Sequence, residues 1–222
     1  MPYSFTKQFQ GLEFAWLNVP PPIPKDLYWG PKEWHEHRRA AHTSSFIAMG
    51  LLVKLIGKTE DSERLLSDFV RPSTAQGLNE DSYHILTQTK QTCSRSHTEK
   101  WACAVLSSRN DLYKSVGVDI ESWNRKIKPG IRKFYDNMLD QTKSLQPIEI
   151  WCLKEAIFKA VSSYLNFHKL KHSTFVLTDI KIDASIEGAA IFSVHSYSGR
   201  CGILPDEYGP SELCTAWAIL SR

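Results

Sequence analysis

Hydrophobic and polar residues alternate in one short stretch near the middle of the chain. In residues 115–121, valine and isoleucine occupy every second position, and Gly117, Asp119 and Glu121 stand between them. This period of two predicts a β-strand. Because side chains at i and i+2 leave a strand on the same face, we expect Asp119 and Glu121 to point the same way. The apolar residues would face a core, and Gly117 would leave room for a bulky neighbour.

A second pattern has the period of a helix. Residues 151–159 contain no Gly or Pro, and Pro147 shortly before them suits a first helical turn. The pattern predicts a helix that continues to about residue 167. On that helix Trp151, Glu155 and Lys159 would share one face, at i, i+4 and i+8.

The remaining elements are assigned from the same two periodicities. Strands are predicted at 12–19, 83–87, 101–107, 175–182, 189–197 and 213–220, and helices at 32–56, 60–70 and 131–143. The helix at 131–143 would turn Phe134, Met138 and Leu139 inward, and residues 199–210 would form a loop rich in Gly and Pro. Strand, helix and strands thus precede residue 113, and strand, helices and strands follow it. This order divides the chain into halves at 1–113 and 114–222.

The composition of the chain is that of an ordinary folded protein and argues against several other classes. The chain has 222 residues, 42% hydrophobic and 23% charged, which is ordinary for a folded domain. A net charge of +3 gives no reason to expect nucleic-acid binding. Its five cysteines are scattered without a C-x-x-C pair, so neither a zinc site nor a disulfide framework is expected. No long apolar run suggests a signal peptide or a membrane span, which favours a soluble, cytoplasmic protein.

The acidic strand and the helix together suggest a metal site. Asp119, Glu121 and Glu155 would supply only oxygen ligands, which Mg²⁺ prefers, while Lys159 would meet a phosphate. Each pattern also has an ordinary interpretation. An Asp-x-Glu pair on a strand can be a solvated face, and a Glu-to-Lys pair at i, i+4 can be a surface ion pair.

The two motifs in order resemble the signature of a known family. (V/I)-G-(V/I)-D-x-E followed by W-x-x-K-E-A-x-x-K is similar to 4′-phosphopantetheinyl transferases of the surfactin- and enterobactin-synthase type. The resemblance implies an α+β fold, a pseudo-dimer of two similar halves with the active site in the cleft between them. It also implies a holo-acyl-carrier-protein synthase reaction, in which Mg²⁺-dependent transfer of phosphopantetheine from coenzyme A to a carrier-protein serine releases 3′,5′-ADP.

The resemblance assigns roles to individual residues. Asp119, Glu121 and Glu155 would hold Mg²⁺, and Glu155 is also the candidate proton acceptor. Lys159, with Lys154 as a second candidate, would contact phosphate oxygens, whereas Trp151 would only pack the helix onto the sheet.

Contacts to coenzyme A are expected from the first half. The segment from Ser96 and His97 to Trp101 resembles the family's S-H-x-x-x-W, which lies at the phosphate end of the coenzyme. Arg38 and Arg39 would bind its nucleotide and phosphates, since Arg can hold phosphate bidentately. A solvated basic helix face is the alternative for these two arginines.

A basic cluster after the acidic strand suggests a partner. It consists of Arg125, Lys126, Lys128, Arg132 and Lys133. The cluster is either a solvated face or a dock for an acidic acyl or peptidyl carrier protein. We expect a monomer, and the pathway served, whether fatty-acid, polyketide, siderophore or other peptide synthesis, stays open. The alternative functions are a non-catalytic relative that binds carrier or coenzyme A, and a Mg²⁺-dependent pyrophosphate hydrolase.

Overall fold

A computed structural model of the chain describes residues 4–21, 25–28, 30–56, 93–107, 113–142, 144–168, 170, 175–186 and 189–221. The chain divides into two compact units, Met1–Asn110 and Asp111–Arg222. In the described part of each unit, an antiparallel sheet packs against a helix of 21 residues. The fold is therefore α+β, as predicted. The pseudo-dimer arrangement and the assignment of roles to the halves stay predictions.

The first unit contains a four-stranded sheet in the order β1-β2-β4-β3. Its strands are β1 (Ser4–Phe9), β2 (Leu12–Asn18), β3 (Cys93–His97) and β4 (Trp101–Ser107), and its helix is α1 (Glu36–Ile56). The sheet and α1 bury a common core of Ala, Leu, Phe and Met side chains. The predictions of β2 and β4 are confirmed. Helix α1 starts at Glu36 because a turn precedes it, in which the Trp34 amide donates to the Pro31 carbonyl.

The second unit contains a five-stranded sheet in the order β5-β9-β8-β7-β6. Its strands are β5 (Tyr113–Ser122), β6 (Lys181–Ile186), β7 (Ala189–Val194), β8 (Tyr197–Ile203) and β9 (Leu213–Ser221). Helix α2 (Pro147–Phe167) lies across β5, β8 and β9. Pro147 opens the helix as predicted, and the Gln146 amide donates to the Glu149 carboxylate at 2.6 Å, which satisfies one donor of the first turn.

The predicted helix at 131–143 is wrong. The chain forms only a short 3₁₀ turn at Pro129–Phe134 and then continues irregularly. Asn137 and Asp140 explain the difference, because their side chains accept hydrogen bonds from nearby backbone amides and so compete with helical bonding. As a result Phe134, Met138 and Leu139 are exposed rather than turned inward.

The C-terminal strands also depart from the prediction. Residues 177–179 form a 3₁₀ turn, and a turn with His195 at a φ of 52° splits the strand predicted at 189–197 into β7 and β8. Strand β8 includes part of the predicted loop at 199–210. Its two glycines permit this, because a Cβ on Gly199 would lie 2.0 Å from the Ile219 carbonyl oxygen and one on Gly202 would meet the Trp217 ring.

Two predicted elements stay untested. The helix at 60–70 and the strand at 83–87 lie outside the described residues. None of the described helices is long and apolar enough to cross a membrane.

Gly117 should be required for the packing of α2 on β5. A Cβ at this position would lie 1.9 Å from the Ala156 carbonyl oxygen, and a helix backbone cannot move aside as a flexible side chain can. Gly117→Ala should therefore lower the free energy of unfolding, measured in urea, by about 1–3 kcal/mol. Gly130→Ala is the matched control, because nothing lies within 4 Å of its Cβ, and it should change stability by less than about 0.5 kcal/mol. Equal stability of the two variants would contradict this account.

Candidate functional site

Strand β5 carries Asp119 and Glu121 on the side that packs against α2. Gly117 stands two residues earlier on the same side, in direct contact with the α2 backbone. The residues opposite the two acids on β9, Ala216 and Cys214, belong to the core shared with α2. The alternation read from the sequence thus brings both carboxylates to the helix.

Asp119 pairs with the ammonium group of Lys159. The Lys159 Nζ lies 2.7 Å from Asp119 Oδ1 and also donates to the Val118 carbonyl at 3.2 Å. Asp119 is buried, and Lys159 is partly exposed. Strand and helix are therefore joined by an ion pair between two of the predicted site residues.

Glu121 is held by two side chains that the sequence did not assign to it. It accepts a hydrogen bond from the Trp151 indole at 3.2 Å and pairs with the Arg125 guanidinium. The Trp151 ring also meets buried Tyr135 edge-on, with ring centroids 5.5 Å apart. Trp151 was predicted only to pack, and the structure adds a direct hydrogen bond to a site carboxylate.

The three carboxylates act on one another electrostatically. Burial raises the pKa of Glu155, the charges of Asp119 and Glu121 raise it further, and Lys159 and Arg125 act in the opposite direction. Burial and the charge of Asp119 likewise raise the pKa of Glu121, against the hydrogen bond from Arg125. Asp119, Glu121 and Glu155 therefore form one acidic cluster whose charge Lys159 and Arg125 offset in part.

The donor chemistry of this cluster suits a hard divalent cation. All three side chains offer oxygen ligands, and a cation would relieve the repulsion that raises the pKa of Glu121 and Glu155. Among the described residues, however, no group of three or more His, Cys, Asp or Glu side chains is arranged to hold a metal ion. In this arrangement the two basic side chains supply the compensating charge instead.

Lys154 does not join the cluster. Its ammonium group is fully buried, 2.6 Å from the Asp140 carboxylate and 2.7 Å from the Ile180 carbonyl oxygen. The structure therefore does not support the expected contact of Lys154 with phosphate, since its ammonium group is engaged by Asp140 and Ile180. The sequence could not show this, because Asp140 belongs to a segment that the pattern predicted as a helix.

The first unit contains a separate cluster of basic and aromatic side chains. Arg38 on α1 lies over the ring of Trp34, which precedes the helix, at 4.0 Å, and the His42 ring meets Trp34 and Phe46 edge-on. Arg95 from β3 lies 3.3 Å from the Phe46 ring centroid. Burial lowers the pKa of His42 to about 4, and the charges of Arg95, His97 and Arg38 contribute to this shift.

The residues of this unit that were predicted to bind coenzyme A lie in different surroundings. The charges of Arg38 and His97 act on His42 and help to lower its pKa. The Arg39 guanidinium instead donates a hydrogen bond to the Tyr28 carbonyl. Ser96 follows Arg95 on β3 and is buried on the opposite face of the strand from Arg95 and His97.

His42 and Arg95 were missed from the sequence. A spacing signal was present, because Trp34, Arg38, His42 and Phe46 recur every four residues, as expected for one helix face. Arg95 stands two residues before His97, which is the same-face spacing of a strand.

A comparison with known families finds a match within the second unit. Residues 115–200 match the 4′-phosphopantetheinyl transferase superfamily. The matched range contains both motifs, so the resemblance to that superfamily is confirmed for this stretch of the chain. A search among curated proteins finds no match. Assignment to the surfactin and enterobactin type stays a prediction.

The shifted pKa of His42 predicts a pH dependence of stability. Between its ordinary pKa of 6.5 and about 4, the unfolded chain binds a proton at this residue that the folded chain does not. The contribution of His42 to folding is thus fully present above pH 6.5 and is lost as the pH falls towards 4. His42→Gln should flatten the decrease in melting temperature over this range, whereas the same change at exposed His35 should not. Identical profiles for wild type and His42→Gln would contradict this prediction.

Proposed function

We propose that this chain transfers the 4′-phosphopantetheine group of coenzyme A to a serine hydroxyl of an apo acyl or peptidyl carrier protein, with Mg²⁺ and with release of 3′,5′-ADP. The observation that carries the proposal is the cluster of Asp119, Glu121 and Glu155 with Lys159, within a domain of the phosphopantetheinyl transferase superfamily.

The reaction exchanges one phosphorus–oxygen bond for another. The serine oxygen forms a bond to the β-phosphorus of the pyrophosphate, the bond from that phosphorus to the bridging oxygen breaks, and the electron pair leaves with 3′,5′-ADP. Negative charge increases on the bridging oxygen as this happens, so catalysis depends on cations held in place beforehand. Lys159 and Arg125, which pair with Asp119 and Glu121, are basic side chains that already lie at the carboxylates.

The proposed metal site uses the acidic cluster. Asp119, Glu121 and Glu155 would hold Mg²⁺, which when bound supplies Lewis-acid stabilisation of the pyrophosphate. Lys159 and Arg125 would then exchange part of their contact with carboxylates for contact with phosphate oxygens. The hydrogen bond from Trp151 would keep Glu121 oriented during this exchange.

Glu155 is the proposed acceptor of the serine proton. A base works best when its pKa is near the working pH, and burial beside Asp119 moves the pKa of Glu155 in that direction. Its two carboxylate oxygens allow one group to serve as both ligand and base.

The basic cluster of the first unit is proposed to bind the anionic part of coenzyme A. Arg38, His42, Arg95 and His97 bring positive or protonatable groups together beside aromatic rings. Phosphate would balance the charges of Arg95, His97 and Arg38, which add to the effect of burial in lowering the pKa of His42.

Mg²⁺ should stabilise the fold in the absence of coenzyme A. At pH 7.5, Mg²⁺ at ten times its dissociation constant should add about 1.4 kcal/mol to the free energy of unfolding. The gain should shrink towards pH 5, because protons compete for Glu121 and Glu155, whose pKa values are raised. Asp119→Asn should abolish the gain, while Asp183→Asn, at a partly exposed pair with Lys181, should retain it. If Mg²⁺ leaves the free energy of unfolding unchanged, or raises it equally in Asp119→Asn, the proposed metal site is refuted.

Intact mass of apo carrier proteins tests the reaction directly. A panel of carriers would be incubated with the chain, coenzyme A and Mg²⁺, and a mass gain of one phosphopantetheine group is expected on at least one of them. Chelator should prevent the gain, and Glu155→Gln should slow it by about 10²–10⁴-fold. Glu207→Gln, at an exposed position in the 3₁₀ turn Asp206–Tyr208, is the matched control.

Three results would contradict this proposal or part of it. Near-normal transfer by Glu155→Gln would remove its assigned roles. Release of 3′,5′-ADP without any carrier would identify a hydrolase, and no mass gain on any carrier would reject the transferase.

A further inference from the structure

Arg125 lies just beyond the acidic strand, and its guanidinium group is turned back onto the acidic cluster. It pairs with Glu121, four residues earlier, at the same oxygen, Oε1, that accepts the hydrogen bond from the Trp151 indole. The hydrogen bond to Glu121 raises the pKa of Arg125, and the charges of Asp119 and Glu155 act in the same direction. One guanidinium group therefore interacts with all three carboxylates that are proposed to hold Mg²⁺.

A metal ion on these carboxylates would have to share Glu121 with Arg125. Both cations are attracted by the same negative charge, and a divalent ion on that carboxylate would be repelled by the guanidinium group. Among the described residues, no group of three or more potential ligands is arranged to hold a metal ion. This fits an arrangement in which Glu121 is turned to Arg125. Metal binding therefore requires the guanidinium group to leave.

Arg125 is easier to displace than Lys159, the other cation of the site. The Lys159 side chain is 28% exposed, and its ammonium group donates both to Asp119 and to the Val118 carbonyl within the strand. The Arg125 side chain is 45% exposed. It follows the end of β5, in a turn where the Arg125 amide donates to the Ser122 carbonyl at 2.9 Å. Because an ion pair with an exposed partner contributes little to stability, the pair with Glu121 can be broken at small cost.

The displaced side chain has a second place to bind within reach. Arg125 Cζ lies 5.6 Å from the centroid of the Trp151 ring, and a guanidinium group is attracted to the face of an indole. Moving fully onto this ring would release Glu121 and keep the positive charge beside the acidic cluster. The hydrogen bond from the Trp151 indole to Glu121 does not depend on Arg125.

We propose that Arg125 is a temporary countercation of the acidic cluster, which competes with Mg²⁺ for Glu121 and so weakens metal binding as long as coenzyme A is absent. This inference rests on the proposed function, because it concerns the metal site which that function requires. Arg125 leaves Glu121 when the metal binds, and its guanidinium group then becomes available to the phosphates of coenzyme A. The residue thus sets the metal affinity of the cluster without being a ligand.

Titration with Mg²⁺, followed by calorimetry in the absence of coenzyme A, tests the competition. The dissociation constant of Mg²⁺ should fall about three- to fivefold in Arg125→Gln, because breaking the ion pair no longer opposes binding. Lys126→Gln is the matched control, since it removes one positive charge from the next residue, which is also exposed. It should change the constant less than about twofold, because exposed charges without direct contact are screened. An unchanged or higher constant in Arg125→Gln, or an equal fall in the control, would overturn the competition.

Arginine labelling of the wild-type chain tests the displacement itself. Phenylglyoxal modifies guanidinium groups, and mass spectrometry of peptides measures the rate at each arginine. Saturation with Mg²⁺ should accelerate modification of Arg125 by up to about fivefold, because its pair with Glu121 is broken. Arg132 is the internal reference, since it forms a pair of the same i, i+4 spacing with Asp136, and its rate should not change. Equal labelling of Arg125 with and without Mg²⁺ would overturn the displacement.

Failure of this inference and failure of the proposed function give different results. If neither the wild-type chain nor Arg125→Gln binds Mg²⁺, the proposed metal site fails and the role of Arg125 fails with it. If Mg²⁺ binds and the wild-type chain transfers phosphopantetheine, but both tests of Arg125 are negative, only the role of Arg125 fails. Binding of Mg²⁺ to Arg125→Gln alone would support the competition in its strongest form.

Discussion

Helix α2 approaches strand β5 so closely at Gly117 that no Cβ could fit between them. This approach determines the chemistry that follows along both elements. Two residues further along the strand, Asp119 comes within 2.7 Å of Lys159 on the helix, and Glu121 comes within reach of the Trp151 indole. A larger residue at Gly117 would separate strand and helix, and with them the acidic cluster. The glycine is thus as much a part of the site as the charged residues.

Holding three carboxylates together has an electrostatic cost, which the fold reduces in specific ways. Burial and mutual repulsion raise the pKa of Glu121 and Glu155, so both side chains are less stable as anions than in water. Lys159 and Arg125 offset part of this cost. A cation bound here, as proposed, would remove a repulsion that the folded chain already contains.

The strand at 115–121 and the helix at 151–159 could be predicted from the sequence because the pattern that indicates each element lies within the element itself. A period of two or of 3.6 is enough to say which side chains share a face, and the acidic cluster needs little more than that. The partners of those side chains could not be found in this way. The contact of Trp151 with Glu121 depends on how strand and helix pack, and the contact of Lys154 with Asp140 depends on the path of a loop. The apolar residues of 131–143 were misassigned because side-chain hydrogen bonds of Asn137 and Asp140 prevent the helix that their spacing favoured.

Two consecutive residues of α2, Lys154 and Glu155, lie in different environments. Consecutive positions on an α-helix are separated by about 100°, so Lys154 and Glu155 point to different sides of the same turn. Lys154 is neutralised by Asp140 within the core of the unit, whereas Glu155 faces the acidic cluster. Since Asp140 already compensates the charge of Lys154, this ammonium group is not available to balance Glu155, and that task is left to Lys159 and Arg125. The helix therefore separates the Lys154–Asp140 pair, which supports the fold, from the acidic cluster that includes Glu155. A single turn of helix backbone fixes the positions of the two relative to each other.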